Sequence, residues 1–402
     1  GTLMIHINLS MLKSSIQEVI ASWIQPYLHE DAQIYLHSPP QHENEIIFFH
    51  IQRIFDWVHL NRYQRKNPGI YFVIIQESLM QTSPLITKLQ IECFTFYPLK
   101  KYSFYRSVKY LLDFLKNNNV ENKSTYYESK KNMYLRKLIE NKCNTNEELD
   151  MIFSLFDDQS LPNVVCFLQG FIHLDSLPHI NYQAFSLIRT IIKRNLSILS
   201  PVIYFIPYER YLLLLFKVPQ KFNSVRHFEG MNHALENAIL SLLQEYRIQM
   251  YIGVGTIYDE LTLLHQSLKE AKLARKHPPF DKIYLRFYED VPKDPAITKY
   301  TEFMEANINQ PLSAKEVARH IHLSYTYFSR NFKKETGKSF SEYMTFLRLR
   351  QAVWLLRHTD ETIEEIADKI GFNTSNYFSC VFKKYIGITP SEYRLATEIH
   401  FQ

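Results

Sequence analysis

The sequence predicts a multidomain chain, α/β over its first three quarters and all-α beyond. Three observations predict it. In the first 118 residues five short apolar runs alternate with helical stretches, the pattern of a flavodoxin-like, doubly wound parallel sheet. Between residues 161 and 290 a second mixed α+β pattern contains two strands meeting at a hairpin. Past residue 295 the strand signals cease and one helical pattern is written twice. The 402 residues are long for one domain, and a hydrophobic content of 46% is ample for packed cores. Expected boundaries are therefore 1–118, a helical linker over 119–160, then 161–290 and 295–402.

In the first region the strand-type runs are residues 3–7, 33–36, 45–51, 69–75 and 91–96. The clearest helices are 12–24 and 105–115, and residues 126–140 read as a helix leaving the region, a candidate dimer-forming connector. The middle region offers a strand at 164–168 and a long amphipathic helix at 182–199. Strands at 202–206 and 211–216 flank Pro207-Tyr208-Glu209-Arg210, followed by a helix at 228–246, a strand at 250–255 and a helix at 261–275. Tyr204, Phe205, Tyr208 and Tyr211 could line a pocket, although hairpin packing is the commoner fate of such aromatics. Asp281, Glu289 and Asp290 lack metal-ligand spacing and read as solvated surface charges.

The repeat is the strongest signal. Glu316-Val317-Ala318 matches Glu365-Ile366-Ala367 at an offset of 49. Phe332-Lys333-Lys334, Gly337 and Ser341-Glu342-Tyr343 match Phe382-Lys383-Lys384, Gly387 and Ser391-Glu392-Tyr393 at an offset of 50. Each copy begins with a short amphipathic helix, 314–321 or 363–370, with Val317, Ala318 and Ile321 or Ile366, Ala367 and Ile370 on one face. A break follows at His322-Leu323 and at Gly371-Phe372. A second helix then starts behind an N-cap candidate, Ser324 in one copy and Asn373 or Thr374 in the other. Phe328 and Phe332, like Phe378 and Phe382, sit four apart and can pack inward.

That leaves Thr326, Ser329 and Arg330 facing outward in the first copy and Ser375, Asn376 and Ser379 in the second. Helix, short turn and helix with a small polar outer face is the helix-turn-helix arrangement, which lays its second helix in the major groove. Arg suits guanine, Asn suits adenine, and Ser and Thr read either. Lys333, Lys334, Lys383 and Lys384 sit where phosphate contacts would fall. The competing reading is an amphipathic bundle with solvated lysines, and two matched polar faces weigh against it.

Residues 312–394 resemble the DNA-binding domain of the AraC/XylS family of bacterial transcription regulators, a match over about a fifth of the chain. The stretch Phe346-Leu347-Arg348-Leu349 with Ala352 and Leu355-Leu356 is similar to that family's connecting helix, and Gly387 to Arg394 is similar to its ending. The resemblance implies two recognition helices held about one DNA turn apart and reading successive major grooves. It also implies double-stranded promoter DNA and RNA polymerase as partners and activation more often than repression. Cys380 departs from the pattern, since many members carry Arg at the position matching Arg330.

The first region resembles response-regulator receivers, with His50 at the degenerate phosphoacceptor position and Tyr97, before Pro98, replacing the receiver's Lys. The start, Ile5-His6-Ile7-Asn8-Leu9, lacks the acidic pair. Aspartyl phosphorylation needs a carboxylate nucleophile, Mg²⁺-holding carboxylates and a Lys, so the resemblance implies a pseudo-receiver kept for dimerisation or partner contact. A lone His is usually structural rather than a metal ligand or phosphohistidine. The middle region, with Ser267-Leu268-Lys269-Glu270-Ala271-Lys272 in its last helix, resembles the nucleotide-cyclase-like fold of diguanylate cyclases. Its hairpin offers Tyr208-Glu209-Arg210 and no Gly, which implies a degenerate, non-catalytic regulatory domain.

Net charge of +5 is mild, and between Pro311 and Arg394 there are 13 Lys/Arg against nine Asp/Glu. This fits a sequence reader better than a nonspecific polycation. Cys93, Cys143, Cys166 and Cys380 show no metal or redox spacing, which favours a reducing cytoplasm. No apolar run reaches eighteen residues and no signal peptide stands at the start, so no membrane association is expected. The expected function is a sequence-specific transcription regulator, homodimeric, non-enzymatic and without cofactor or metal, responding to a small-molecule, peptide or protein effector. The rivals are a cyclic-dinucleotide enzyme and a phosphorylation-driven response regulator, each with a DNA-binding tail. Both need acidic residues the sequence lacks.

Overall fold

The structure, a computed structural model, describes residues 4–28, 32–42, 45–76, 79, 91, 93–117, 130–157, 160–174, 176, 180–278 and 284–401. Two compact units emerge, one of Gly1–Glu121 with Arg357–Asp360 and one of Asn122–Leu356 with Glu361–Gln402.

The first unit runs β1 (Ile5–Asn8), α1 (Ser14–Ile24), β2 (Ala32–Tyr35), β3 (Ile46–Ile51), α2 (Ile54–Lys66), β4 (Ile70–Ile75), β5 (Cys93–Phe96) and α3 (Lys101–Asn117). All neighbours pair in parallel, in the order β2-β1-β3-β4-β5. The apolar run of β4, and that of β3 interrupted only by His50, follow from burial on both faces. Phe48, Phe72 and Ile74 pack with Ile20 of α1 and with Phe104 and Val108 of α3. On the other face Ile47, Phe49, Val73 and Ile75 pack with Trp57 and Leu60 of α2. Each predicted strand is present within two residues, although residue 3 lies outside the described residues and β5 starts at Cys93.

The second unit begins with α4 (Lys130–Ile139), α5 (Asn146–Leu155), β6 (Val164–Ile172), α6 (Ile180–Leu196), β7 (Ile203–Tyr208) and β8 (Tyr211–Phe216). It continues with α7 (Met231–Tyr246), β9 (Ile248–Val254), α8 (Leu264–Lys276), β10 (Leu285–Phe287) and α9 (Pro295–Ala306). Residues 126–129 of the predicted connector helix lie outside the described residues. The sheet order is β10-β9-β6-β8-β7, with β6 antiparallel to β8 and β9. One face packs on α6 and α7 through Cys166, Leu168, Leu214 and Ile252. The other carries Val165 and Phe167 against α4, α5 and α8. Helix α8 lies so close to β9 that a Cβ on Gly253 would fall 2.2 Å from the Ala271 carbonyl oxygen.

The helical repeat follows as α10 (Ala314–His320), α11 (Tyr325–Thr336), α12 (Phe340–His358), α13 (Ile363–Lys369), α14 (Ser375–Ile386) and α15 (Pro390–Leu395). It ends in β11 (Thr397–Glu398), which pairs antiparallel with β6. The expectation that residues 295–402 are all-α is corrected here: a two-residue strand is too short to leave a periodic signal and exists only because β6 offers an edge.

One further sequence reading changes, and of the two readings for the hairpin aromatics the commoner, packing, holds. Glu289 and Asp290 are not free surface charges. The Glu289 carboxylate accepts hydrogen bonds from the Ser224 hydroxyl (2.6 Å) and the Val225 amide (2.8 Å), and Asp290 pairs with Arg226. Asp281 lies outside the described residues. The aromatics of the hairpin are packed rather than gathered around a pocket: Tyr204 donates to the Ser160 carbonyl at 2.9 Å, and Tyr211 lies 4.5 Å from the Phe167 ring.

Candidate nucleic-acid interface

The two copies build their second helices by the same local means. Ser313 and Thr362 cap α10 and α13 in capping boxes with Glu316 and Glu365. The turn that follows needs a left-handed residue, supplied by His322 (φ 59°) in one copy and Gly371 (φ 89°) in the other. Ser324 then caps α11 by accepting from the Tyr327 amide, and Thr374 caps α14 by accepting from the Tyr377 amide. Both helices stop at left-handed glycines, Gly337 (φ 73°) and Gly387 (φ 96°). Phe328, Phe332, Phe378 and Phe382 are fully buried. Their burial fixes which sides of α11 and α14 stay open.

The open side has two flanks. Thr326, Arg330 and Lys334, spaced by four, line one surface depression together with Ser324, Tyr327 and Asn331. Ser329 and Lys333 line another, shared with Tyr325 and with Ser341, Thr345 and Arg348 around α12. The offset of 50 maps these flanks onto Asn376, Cys380 and Lys384, and onto Ser375, Ser379 and Lys383. Thr326, Arg330, Asn376 and all four lysines are exposed, whereas Ser329, Ser375 and Ser379 are half-buried. The ten residues singled out from sequence therefore form two adjacent rows on the open side of each helix. The lysines occupy the last turns of α11 and α14, where the helix dipole also favours cations.

Sequence reasoning passed over Tyr327 and Tyr377. They occupy equivalent positions and are 58% and 61% exposed, unusual for so large a side chain beside a fully buried Phe. Their identity at the offset of 50 was the available signal, hidden because each precedes a core Phe and reads as part of the apolar stripe.

His50 stands apart from this surface. It is half-buried in β3 at the carboxyl end of the first sheet, its ring 5.1 Å from that of Tyr97. Burial lowers its pKa, with Lys13 acting in the same direction and Asp56 against it. Among the described residues no group of three or more His, Cys, Asp or Glu is placed to hold a metal ion. Nor is any helix among them long and apolar enough to cross a membrane.

Residues 317–396 match the family model described as a helix-turn-helix domain. The chain is 36% identical over 103 residues to the regulatory protein PocR of Salmonella typhimurium strain LT2, covering 26% of this chain and 34% of that protein. It is 40% identical over 95 residues to the uncharacterized transcriptional regulatory protein YesN of Bacillus subtilis strain 168, covering 23% and 25%. Over 107 residues it is 35% identical to the transcriptional activator RhaR of Mannheimia succiniciproducens, covering 27% and 38%. Among solved structures, the C-terminal domain of AraT, a response regulator from Geobacillus stearothermophilus, is 35% identical over 25% of this chain and 84% of that one, with a TM-score of 0.24. The match thus spans about a third of the length of these curated relatives. The region from α10 to α15 is an AraC-type helix-turn-helix domain.

Proposed function

We propose that the chain is a sequence-specific transcription regulator, an activator, that reads promoter DNA with α11 and α14. The observation that carries this is the pair of equivalent helices, each capped, stopped and packed alike, with polar side chains left open on the side away from its buried Phe pair. Thr326, Ser329, Arg330, Ser375, Asn376 and Ser379 read base edges, while Lys333, Lys334, Lys383 and Lys384 hold phosphates. The hydroxyls of Tyr327 and Tyr377 add phosphate donors at matched positions.

The upstream regions act without catalysis in this reading. The parallel order β2-β1-β3-β4-β5 supports a receiver-like fold, with His50 and Tyr97 facing one another where a phosphoacceptor and its Lys would stand. The order β10-β9-β6-β8-β7 and the hairpin at Glu209-Arg210 support a degenerate cyclase-like domain. These regions mediate homodimerisation and respond to an effector, changing the populations of states and not making bonds, and the DNA-bound form contacts RNA polymerase. Selection of bound genomic duplex fragments tests the reading: enrichment of a shared motif supports it, and recovery without sequence preference contradicts it.

A further inference from the structure

Each helix-turn-helix copy needs something outside itself to close its core, and the second copy uses the middle sheet. Phe171 of β6 and Tyr251 of β9 belong to the same buried cluster as Phe378, Phe382 and Tyr393. Phe171 lies 5.4 Å from the Tyr393 ring, and the Tyr251 hydroxyl donates at 2.9 Å to the carbonyl of Ile386, in the last turn of α14. The middle sheet has room because β8 pairs with β6 only as far as Leu168, leaving the edge from Gln169 to Ile172 open on that side. The segment after α15 fills it. Thr397 pairs with Ile172 and Glu398 with Phe171, and the Ile399 amide donates to the Gly170 carbonyl at 2.8 Å. Ile399 and Phe401 bury themselves in the core of the middle sheet. Glu398 accepts from Gln169 at 3.0 Å.

The same contact carries a cost. Arg275 of α8, half-buried overall but with Nε and Nη1 shielded from water, stacks over Tyr251 at 5.0 Å, and Arg286 of β10, buried beside it, stacks over Phe346 of α12 at 5.1 Å. Arg286 donates to the Arg275 carbonyl, yet Arg275 Nε and Nη1 and Arg286 Nε have no hydrogen-bond partner among the described residues. The titratable and charged groups around them are Tyr251, Tyr393 and Tyr211, each other, and Arg350 and His277 beside Arg286, with no carboxylate acting on either among the described residues. Burial pulls the Arg275 pKa down to about 10 and that of Arg286 well below the ordinary arginine range. Two guanidiniums held together out of water oppose the docking.

We propose that the open edge of β6 is a strand-acceptor site, and that residues 397–401, seated in it, are a releasable latch holding the second helix-turn-helix copy on the middle domain. Strand addition supplies the holding force through backbone hydrogen bonds and alternate side-chain pockets. The buried guanidiniums supply the tendency to open. Latched, the position of α14 is set by the middle sheet; released, the second copy can settle against a second groove. The control of DNA binding rests on the function proposed above, whereas the latch itself does not.

The register continues to place Gln169 opposite His400, at a spacing of about 4.5–5.5 Å that a disulfide accepts. The test is the full chain with Gln169→Cys and His400→Cys, oxidised and then reduced, with the parent chain as control for Cys380. Hydrogen exchange of residues 386–395 should be about tenfold slower when oxidised, and equal rates in the two states would overturn the latch. Arg286→Met should slow the same exchange, and faster exchange would overturn the opposing role of the guanidiniums. Binding to sheared genomic duplex at low salt should be about tenfold weaker when oxidised. Slowed exchange with unchanged affinity would overturn the control of DNA binding. Binding in neither state would instead overturn the DNA-binding reading, with the exchange rates still deciding the latch.

Discussion

In the first helix-turn-helix copy the core is closed by a local helix, α9, whose Tyr300 ring meets Phe328 edge-on at 5.4 Å. In the second copy the closing residues come from more than a hundred positions upstream, in β6 and β9. The second helices and the turns before them differ as well: Tyr325, Arg330 and His322 of the first copy stand where the second has Ser375, Cys380 and Gly371. One pattern written twice has thus given a unit closed by its own neighbour in sequence and a unit closed by another sheet. The lesson is that a repeat specifies its own helices, caps and inward face, and leaves open what covers that face.

The largest expected effect breaks the symmetry of the cores. Phe332→Ala and Phe382→Ala each remove a fully buried ring and should cost about 3–5 kcal/mol. Denaturant melts should show the second change also loosening the contact with Phe171 and Tyr251, while the first leaves it intact. Equal loosening would mean that the two copies are coupled through α12.

The recognition faces give the next contrast. Arg330→Ala should lose about 1–3 kcal/mol at a preferred site, whereas Cys380→Ala should change little. Cys380→Arg should sharpen preference for guanine in the second half of that site. Lys383→Ala should weaken all duplexes alike and reduce the salt slope by about 1. Titrations over a range of salt concentrations separate these outcomes.

Acid should act where the end of α8 meets α9 and α12. Burial first, then Arg350 and Arg286, lowers the pKa of His277, with Glu305 opposing. A His whose folded pKa is depressed supports the folded state fully above its unfolded value of about 6.5 and loses that support as pH falls. Exchange of α9 should therefore quicken below that pH, and His277→Gln should flatten the dependence. The smallest effect concerns the turn. His322→Gly, which relieves a left-handed non-glycine residue, should stabilise the first copy by about 1 kcal/mol, while Gly371→His should do the reverse in the second.

Much of the fold is legible in the sequence. The parallel sheet could be read because β4 and, but for His50, β3 are apolar, and the helix pairs because Phe328, Phe332, Phe378 and Phe382 keep the helical period. Ser324, Thr374, Gly337 and Gly387 mark the ends of the recognition helices by cap chemistry that a sequence displays. What could not be read depends on distant partners. Strand β11 exists only opposite β6, Glu289 is held by a loop 64 residues away, and Tyr251 meets Ile386 across 135 residues. Glu45 reads as the polar start of a strand, yet it is buried and accepts from Asn8 at 2.9 Å.

Footprinting of the full chain on selected genomic duplex at low salt tests the central claim most directly. Protection of two successive major grooves on one face, with the second half lost when Asn376 and Ser379 are changed to Ala, is the predicted result. Protection of a single groove, or none on any fragment, would contradict it.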